Sequence, residues 1–437
     1  MPTPANRVIV VGGGIAGLVA AIEIERRGRP VLLLEKESEV GGRVRTRRVG
    51  GFLIDRGFQV LFTAYPVLTN YLDLTALDLR PFQPAARIAL STGTSVLGDA
   101  LRDPSLLMET VLSSHIPVGD VWRLLRLRRL ATSLDDEGCF AEKYASLSTV
   151  EFLRQRGFSA MTIERFFAPF YGGILLDRSL QSSAAVLLFT FRMLALGDTA
   201  LPARGMGAIA AQLRERLRLA EVRLRATVTG LVVESGRATG VTLADGTVER
   251  GADVLLATEA PVAARLAATA SVRVARLPAH ALGCTTLYLA SDQPLLPGRA
   301  LTLNATDHAV ISHAVTVSDV AREYAPPGQQ LIALTAIGAA AELADAPLER
   351  AAMNDLAMMR RSSLGTATRL IAIERVPYSQ FVHEPGYALH RPTAATDLPG
   401  LWFGGEALHS SSLDGAARSG VAAATAIAGE MAPLIHH

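Results

Sequence analysis

The N-terminal part of the chain combines two short apolar runs with one longer helical stretch. Val8 to Val11 is a continuous apolar run that stops at a glycine, and Val31 to Leu34 is a second such run. Between them, Ala16 to Arg27 has the composition of a helix. Short continuous apolar runs are typical of strands that are buried on both faces of a parallel sheet. The pattern therefore predicts a strand, a glycine turn, a helix and a second, parallel strand.

Strand patterns also occur in the middle of the chain and near its end. Residues 221–258 alternate between apolar and polar positions, with a turn signal at Glu234 to Arg237 and a hairpin signal at Asp245-Gly246. These features predict short strands joined by tight turns. The later segments GCTTLYLA and HAVISHAVTVS alternate like strands of an antiparallel sheet. Leu401 to Phe403 predicts a strand, and a stretch rich in small residues predicts a helix that begins near Leu413.

One predicted helix, Val121 to Leu134, is amphipathic and basic. Its apolar face carries Leu124, Leu127, Ala131 and Leu134, whereas Trp122, Arg126 and Arg129 lie away from that face. Such a helix either packs its leucines inward beneath a solvated arginine face or lies on an anionic membrane surface. The pattern leaves both interpretations open.

Composition narrows the class of protein. The chain has 437 residues, 49% hydrophobic and 19% charged, which is enough for two cores, and its net charge of +2 argues against a nucleic-acid partner. Only Cys139 and Cys284 are present, and no metal-ligand spacing occurs. The N-terminal region lacks the pattern of a signal peptide. We therefore expect a cytoplasmic protein without disulfides or metal, with peripheral contact to the inner membrane surface as the alternative to a purely soluble state.

The turn after the first strand has the spacing of a dinucleotide-binding fingerprint. Gly12, Gly14 and Gly17 form a G-x-G-x-x-G frame, and Glu35 ends the second strand 35 − 17 = 18 residues further on, where an acid binds the adenosine ribose. The phosphates would lie at the positive end of the helix. The residues predicted to bind the nucleotide here are Gly12, Gly14, Ile15, Ala16, Gly17, Glu35 and Lys36.

A second nominal fingerprint, Gly205-x-Gly207-x-x-Ala210, follows Pro202-Ala203-Arg204 instead of a buried strand. We interpret it as a loop that leads into a helix. One dinucleotide site is therefore expected, which argues against a pyridine-nucleotide-dependent reductase with two such units.

Further motifs resemble those of the FAD-dependent flavin amine oxidase, phytoene desaturase and protoporphyrinogen oxidase superfamily. They are Gly41-Gly42-Arg43, the segment GGFLIDRGFQVL from Gly50 to Leu61, FFAPFYGGILL from Phe166 to Leu176, and the C-terminal WFGGEALHSSSLDGAA. The resemblance implies FAD, held without a covalent bond because no cysteine lies in the C-terminal motif. It assigns further FAD contacts to Gly42, Arg43, Gly57, Phe58, Gln59, Val228, Gly405, Glu406, Leu413 and Ala416.

The same resemblance implies an α/β (α+β) fold with two discontinuous domains. A Rossmann-type, glutathione-reductase-like FAD-binding domain would comprise residues 1–79, 196–275 and 391–437. A mixed α/β substrate-binding domain would comprise residues 80–195 and 276–390. The first of these substrate blocks is rich in helical patterns, and the second is expected to form an antiparallel sheet over the flavin.

The implied activity is hydride transfer from a substrate to flavin N5, with oxygen or a quinone as the final electron acceptor. Serines at 410–412 stand where amine oxidases of this superfamily commonly have an aromatic residue. That departure favours a hydrophobic, isoprenoid-like substrate and a desaturase-like reaction. Amine oxidation and protoporphyrinogen-oxidase-like chemistry are the alternatives, as is a non-catalytic binding protein like the Rab-escort proteins. Three residues are candidates for catalysis: Tyr387, His390 and His409.

Overall fold

The computed structural model describes residues 6–99, 101–106, 116–274, 276–278, 280–296, 298–306, 308–364 and 367–429. The strands are β1 (Val8–Val11), β2 (Val31–Leu34), β3 (Thr46–Val49), β4 (Phe52–Asp55), β5 (Leu61–Phe62), β6 (Leu79–Pro81), β7 (Ala85–Leu90), β8 (Gly93–Gly98), β9 (Thr199–Pro202), β10 (Glu221–Arg223), β11 (Val228–Glu234), β12 (Arg237–Leu243), β13 (Val248–Arg250), β14 (Asp253–Leu256), β15 (Ala281–Ser291), β16 (Leu301–Asn304), β17 (Ile311–Thr316), β18 (Gln330–Ile337), β19 (Arg369–Phe381) and β20 (Leu401–Phe403).

The helices are α1 (Ile15–Arg26), α2 (Val118–Ser133), α3 (Asp136–Cys139), α4 (Glu142–Ala145), α5 (Thr149–Gln155), α6 (Ala160–Thr162), α7 (Ala168–Leu175), α8 (Ala184–Leu196), α9 (Gly207–Glu215), α10 (Ala260–Ala268), α11 (Val317–Val320), α12 (Asp345–Arg360) and α13 (Leu413–Ile427). A π-helical turn, Ile163–Phe167, connects α6 to α7. Short 3₁₀ turns occupy Leu68–Tyr71, Pro104–Leu106, Arg322–Tyr324, Gly338–Glu342, Tyr387–Leu389 and Glu406–Leu408. Within the described ranges, no helix combines the length and apolar character that crossing a bilayer requires.

A five-stranded parallel sheet forms the first layer of the fold, in the order β10-β2-β1-β14-β20. The predicted strands at 8–11, 31–34 and 401–403 are confirmed with the same bounds. Successive side chains of a strand point to opposite faces. Val8 and Val10 therefore pack into the core that contains α1, while Ile9 and Val11 pack into a second core with α10 and the meander β11–β13.

Helix α1 is buried between this sheet and the C-terminal helix α13. The two helices approach closely at Gly420, where a Cβ atom would lie 2.5 Å from the Ala16 carbonyl oxygen and 2.9 Å from the Ala20 nitrogen. Only glycine allows this spacing. The first and last helices of the described chain are thereby packed against each other.

A seven-stranded sheet, ordered β19-β15-β18-β17-β16-β7-β8, forms the other large layer. The expected antiparallel strands are present as β15 and β17, but the sheet also takes β7 and β8 from the first block, and β7 pairs with β16 in parallel. The strands of residues 276–390 thus pair antiparallel as expected, and two strands of the first block extend their sheet. Helix α12 covers one face of the sheet.

The strands nevertheless divide along the predicted segments. Every strand of the parallel sheet lies within 1–79, 196–275 or 391–437, and every strand of the seven-stranded sheet lies within 80–195 or 276–390. A small sheet, β5-β9-β6, bridges the two groups. The strand β9 precedes Gly205-x-Gly207, contrary to expectation, but it pairs antiparallel and adds nothing to the parallel sheet.

Asp55 is buried where the two layers meet. Its carboxylate accepts hydrogen bonds from the Tyr324 hydroxyl (2.7 Å), the Met206 amide (3.0 Å) and the Thr46 hydroxyl. The Tyr288 hydroxyl donates to the Asp55 carbonyl at 3.1 Å. Burial raises the pKa of Asp55 to about 6, although its hydrogen bonds act in the opposite direction.

Candidate active site

A large cavity of about 490 Å³ opens at the carboxyl ends of the parallel strands. The turns that follow β1, β2, β14 and β20 all contribute to its wall. Ligands of open α/β sheets bind in this position, because the loops from neighbouring strands converge there. Cavities of this size are typical of sites for small molecules and cofactors.

The glycine turn after β1 supplies a close backbone approach at one end of the cavity. Gly12 has φ +106°, a conformation that other residues rarely adopt, and a Cβ on Gly17 would lie 1.9 Å from the Gly12 carbonyl oxygen. At Gly14, by contrast, a Cβ would meet no protein atom within 4 Å, because this residue faces the cavity. Gly12 and Gly17 therefore shape the turn, and Gly14 leaves room for a ligand.

A second glycine loop faces the first. The Gly41 amide donates to the Gly13 carbonyl oxygen at 2.7 Å, and a Cβ on Gly42 would lie 3.4 Å from the Gly14 Cα atom. Side chains in either loop would fill the space between them. The two loops thus form a narrow cleft in which exposed backbone can approach a phosphate group.

Glu35 is buried at the end of β2 and lines the same cavity. Its two carboxylate oxygens accept hydrogen bonds from the Gly13 amide (2.7 Å) and the Glu37 amide (3.0 Å). These bonds fix the carboxylate, and each oxygen retains a lone pair for a further donor. The geometry fits an acid that receives hydrogen bonds from a ribose.

Arg43 and Glu406 form an ion pair in the cavity wall, with Arg43 Nη2 2.7 Å from Glu406 Oε2; the carboxylate is buried and the guanidinium is partly exposed. Arg43 Nη1 also donates to the Ser379 carbonyl oxygen at 2.6 Å. Burial disfavours the charged guanidinium, yet the attraction of Glu406 raises its pKa above the ordinary value. The second oxygen of Glu406, Oε1, is buried and has no hydrogen-bond partner among the residues that the structure describes. A buried carboxylate oxygen in this state calls for a donor from a ligand or a water.

The N-terminal end of α13 also borders the cavity, through Leu413 and Ala416. The Ser412 hydroxyl caps this helix by accepting from the Gly415 amide at 2.8 Å. Asp414 fixes the helix to the segment after β5 by accepting from the Val67 and Leu68 amides at 2.8 and 2.9 Å. The positive end of the helix dipole is therefore held at the cavity, where it favours negative charge.

The wall opposite the glycine loops comes from the seven-stranded sheet, helices α7 and α8 and residues 58–65, and we call it the distal wall. Arg56 also lines the cavity next to this wall, with its Nη1 atom 3.4 Å from the Gly42 carbonyl oxygen on the side of the glycine loops. The distal wall comprises Phe58, Gln59, Val60, Phe62, Tyr65, Phe170, Gly173, Ile174, Leu175, Leu176, Val186, Phe189, Thr190, Cys284, Leu301, His313, Thr335, Val376, Ser379 and Gln380. The majority of these side chains are apolar. None of these described residues carries a charged aspartate, glutamate, lysine or arginine side chain.

The structure brings the sequence-predicted FAD residues together around this one cavity. Sixteen of the seventeen line it: Gly12, Gly14, Ile15, Ala16, Glu35, Lys36, Gly42, Arg43, Gly57, Phe58, Gln59, Val228, Gly405, Glu406, Leu413 and Ala416. Gly17 is the exception, because it packs beneath the turn against Gly12. These residues fit a flavin dinucleotide, since they provide a phosphate cleft, a fixed acid at one end and an unpartnered carboxylate oxygen at the other.

The three candidate catalytic residues lie elsewhere. None of the three is among the described residues that line the cavity. The Tyr387 hydroxyl donates to the Ala407 carbonyl oxygen at 2.7 Å, and the His409 ring packs edge-on against Phe140 with 5.1 Å between ring centroids. His390 is exposed at the surface. Their position in the chain next to β20 does not translate into a position beside the cavity.

Two chemically active residues in the distal wall were missed. His313 lies on β17 and Cys284 on β15, inside alternating segments in which a single polar residue gives no signal of its own. Cys284 Sγ lies 3.1 Å from the Ser379 hydroxyl, and burial raises its pKa. Both cysteines of the chain are free thiols. Within the described residues, no group of three or more metal-ligating side chains occurs.

A single parallel sheet with a glycine turn, a fixed ribose-side acid and a second glycine loop defines a dinucleotide-binding protein of the glutathione-reductase-like type. A family model for flavin containing amine oxidoreductases matches residues 15–428 of the chain. The chain therefore belongs to the flavin containing amine oxidoreductase family, and the predicted superfamily and fold class are confirmed.

Individual relatives differ in what they act on. Protoporphyrinogen oxidase 2 of Arabidopsis thaliana is 29% identical over 171 residues, which cover 38% of this chain and 32% of that protein. An L-amino-acid oxidase of Sistrurus catenatus edwardsii is 29% identical over 159 residues, which cover 35% of this chain and 31% of that protein. Each sequence match spans about a third of the relative's length.

The fold extends further than the sequence matches. The crystal structure of an Exiguobacterium sp. 255-15 protein assigned as a protoporphyrinogen oxidase superposes with a TM-score of 0.74. It shares 21% identity, and the superposition covers 97% of this chain and 98% of that one. This likeness establishes a common fold, and it leaves the substrate to be argued from the cavity.

Proposed function

We propose that the chain binds FAD without a covalent bond and oxidises a hydrophobic, isoprenoid-like molecule in a desaturase-like reaction. The observation that carries this proposal is the contrast between the two parts of one cavity. The part nearer the parallel sheet has the phosphate cleft and the charged groups, whereas the distal wall is mostly apolar and lacks charged side chains.

The residues of the sheet end would each hold a different part of the cofactor. Glu35 would accept hydrogen bonds from the adenosine ribose, the two glycine loops would take the pyrophosphate, and the free oxygen of Glu406 would accept from a ribityl hydroxyl. FAD supplies hydride acceptance at the flavin ring and passes the electrons to oxygen or a quinone. The chain's own contribution is to position the substrate and to exclude water from the reacting atoms.

The distal wall favours an uncharged substrate. A charged ammonium or carboxylate group is costly to bury unless an opposite charge pairs with it, and the described distal wall offers no such partner. Apolar side chains, by contrast, gain about 25 cal/mol for each Å² of apolar surface that the substrate removes from water. This reasoning favours an isoprenoid over a small amine, an amino acid or a porphyrinogen with its carboxylates.

The test is anaerobic reduction of the purified flavoprotein. We expect long-chain isoprenoids to bleach the flavin absorbance, and product analysis should show a new or rearranged double bond. Benzylamine, leucine and protoporphyrinogen serve as matched probes for the other substrate classes. If one of these three compounds bleaches the flavin and the isoprenoids do not, the proposed substrate class is refuted, but the proposal that the protein is an oxidoreductase stands. A purified protein that holds no flavin and takes up none would instead favour a binding-only role.

The proposed non-covalent attachment of FAD needs a separate test, because the free thiol of Cys284 lies in the cavity wall. Acid precipitation should release all of the flavin into the supernatant. A washed pellet that stays yellow would show a covalent bond, and the Cys284→Ser variant would then tell whether this thiol carries it.

We also propose a peripheral membrane contact through α2. The predicted inner face is confirmed, since Leu127 and Ala131 are buried. On the outer face, Val118, Trp122 and Leu125 are 69%, 65% and 40% exposed at helical spacing. The exposed Arg126 and Arg129 would complement an anionic bilayer, into which Trp122 and its apolar neighbours would insert.

Co-sedimentation with phosphatidylglycerol vesicles tests this contact. We expect the wild type to sediment with these vesicles and the double variant Trp122→Ser, Leu125→Ser to stay in the supernatant. Vesicles of phosphatidylcholine alone are the matched control for charge. Equal sedimentation of wild type and variant would contradict the proposal.

A further inference from the structure

The distal wall contains one imidazole whose surroundings leave it without a partner. His313 lies on β17 between β16 and β18, where it pairs with Leu303 and Thr335 in register, and it is 4% exposed. Its Nδ1 atom is buried and has no hydrogen-bond partner among the described residues. A buried polar atom without a partner costs stability, so its retention at a cavity wall calls for a ligand or a water.

The neighbours of His313 fix the ring and keep it at the cavity. Phe58 packs against it with 5.6 Å between ring centroids. A Cβ on Gly173 would lie 2.8 Å from Nδ1, so only glycine lets α7 pack this closely against the ring. The ring is thus held between the Phe58 side chain and the backbone of α7.

The electrostatic surroundings keep this imidazole neutral. Burial lowers the pKa of His313 to about 4, and the nearby positive charge of Arg178 acts in the same direction. Arg178 itself donates to the Asn304 carbonyl oxygen at 3.1 Å. A neutral imidazole has one N–H donor and one acceptor nitrogen, and it is a poor partner for a charged group.

Several other polar groups of the distal wall have partners within the protein. Cys284 and Ser379 contact each other, and the Gln380 amide donates to the Ile174 carbonyl oxygen at 2.6 Å. The Thr335 hydroxyl lies 3.3 Å from that of Thr286. His313 differs from these groups because it combines a cavity position with a buried atom that no described residue satisfies.

We propose that His313 is the specificity-determining residue of the distal wall: it hydrogen-bonds one uncharged polar group, such as a hydroxyl or a carbonyl, of an otherwise apolar substrate. This inference rests on the proposed function and narrows its substrate class. A substrate held at one polar group has a defined register along the apolar wall, so the same carbon is presented for oxidation each time. A plain hydrocarbon would bind to the same wall without that register.

The experiment compares two probes that differ in one hydroxyl group, farnesol and farnesene. Binding to the oxidised holoenzyme is measured through the change in the flavin absorbance spectrum. We expect the wild type to prefer farnesol by up to about tenfold, the effect of one neutral hydrogen bond. His313→Leu should abolish this preference while its affinity for farnesene stays unchanged or rises. His313→Gln, which retains an amide donor and acceptor, should keep most of the preference.

The control variant is His280→Leu, which removes an exposed histidine outside the cavity and should leave both affinities unchanged. Flavin content and thermal midpoint confirm that each variant is folded. If the wild type binds both probes equally, or if His313→Leu keeps the preference for farnesol, the assignment of His313 is refuted and the proposed function stands. If neither probe binds but benzylamine does, the proposed substrate class fails and the assignment fails with it.

Discussion

The cavity-facing position of Gly14 allows the cofactor site to be perturbed without disturbing the fold. Its backbone has φ −72° and ψ 179°, which any residue adopts, and a Cβ would meet no protein atom within 4 Å. Gly14→Ala should therefore change the stability of the flavin-free protein by less than about 1 kcal/mol. The added methyl group would instead occupy the cleft between the glycine loops and hold a phosphate away from the backbone amides.

The magnitude follows from the bonds that would be lost. One hydrogen bond to a charged group contributes about 1.5–3 kcal/mol, so losing one should weaken FAD binding roughly 10- to 150-fold. FAD affinity is measured by titrating the apoprotein with FAD and recording the quenching of flavin fluorescence. Urea unfolding measures the stability of the same flavin-free protein. Gly17→Ala is the matched control, because its Cβ would lie 1.9 Å from the Gly12 carbonyl oxygen and should destabilise the fold by about 1–3 kcal/mol or more. Wild-type FAD affinity in Gly14→Ala would refute this view of the cleft.

Three further predictions concern buried carboxylates. Glu35→Ala should weaken FAD binding at least about tenfold and also lower the thermal midpoint, because two backbone amides lose their acceptor; unchanged FAD affinity in a titration would count against a ribose contact. In a double-mutant cycle of unfolding free energies with Glu406→Gln and Arg43→Gln, we expect a coupling above about 1 kcal/mol, and strict additivity would contradict the ion pair. Asp55 has a pKa raised to about 6 from 3.8, so the folded state retains its proton longer than the unfolded state does. As the pH rises from 4 to 6, the unfolding free energy of the wild type should therefore fall by up to about 3 kcal/mol relative to that of Asp55→Asn. A difference in unfolding free energy between the two proteins that stays constant over this range would refute the raised pKa of Asp55.

The nucleotide end of the site could be predicted from the sequence because its chemistry lies in short, contiguous motifs. A strand, a glycine turn and a helix form locally, so the spacing from Gly12 to Glu35 fixes their relation in space. The distal wall is different. Its residues come from segments as far apart as Phe58 and Gln380, and they meet only through the pairing of the seven-stranded sheet.

The catalytic candidates lie outside the cavity wall for the same physical reason. Sequence proximity to the C-terminal glycines suggested Tyr387 and His409, but side chains on irregular segments can point to either side of the backbone, and these two point into a neighbouring cluster around Phe140 and Ala407. His313 could not be distinguished from a core histidine, because its strand is buried along its whole length. What identifies it is the lack of a partner at Nδ1, which only a three-dimensional arrangement reveals.

The packing of α1 against α13 at Gly420 has a consequence for the order of events during protein synthesis. The helix that begins at the glycine turn emerges from the ribosome early, whereas the strand β20, Glu406 and Gly420 emerge some 400 residues later. Contacts between such distant residues form slowly, since a long loop must close before they are made. The segment that contains β20, Glu406 and Gly420 must therefore be synthesised before the flavin site is complete, so the cofactor can stabilise the assembled fold but cannot direct the folding of the earlier segments.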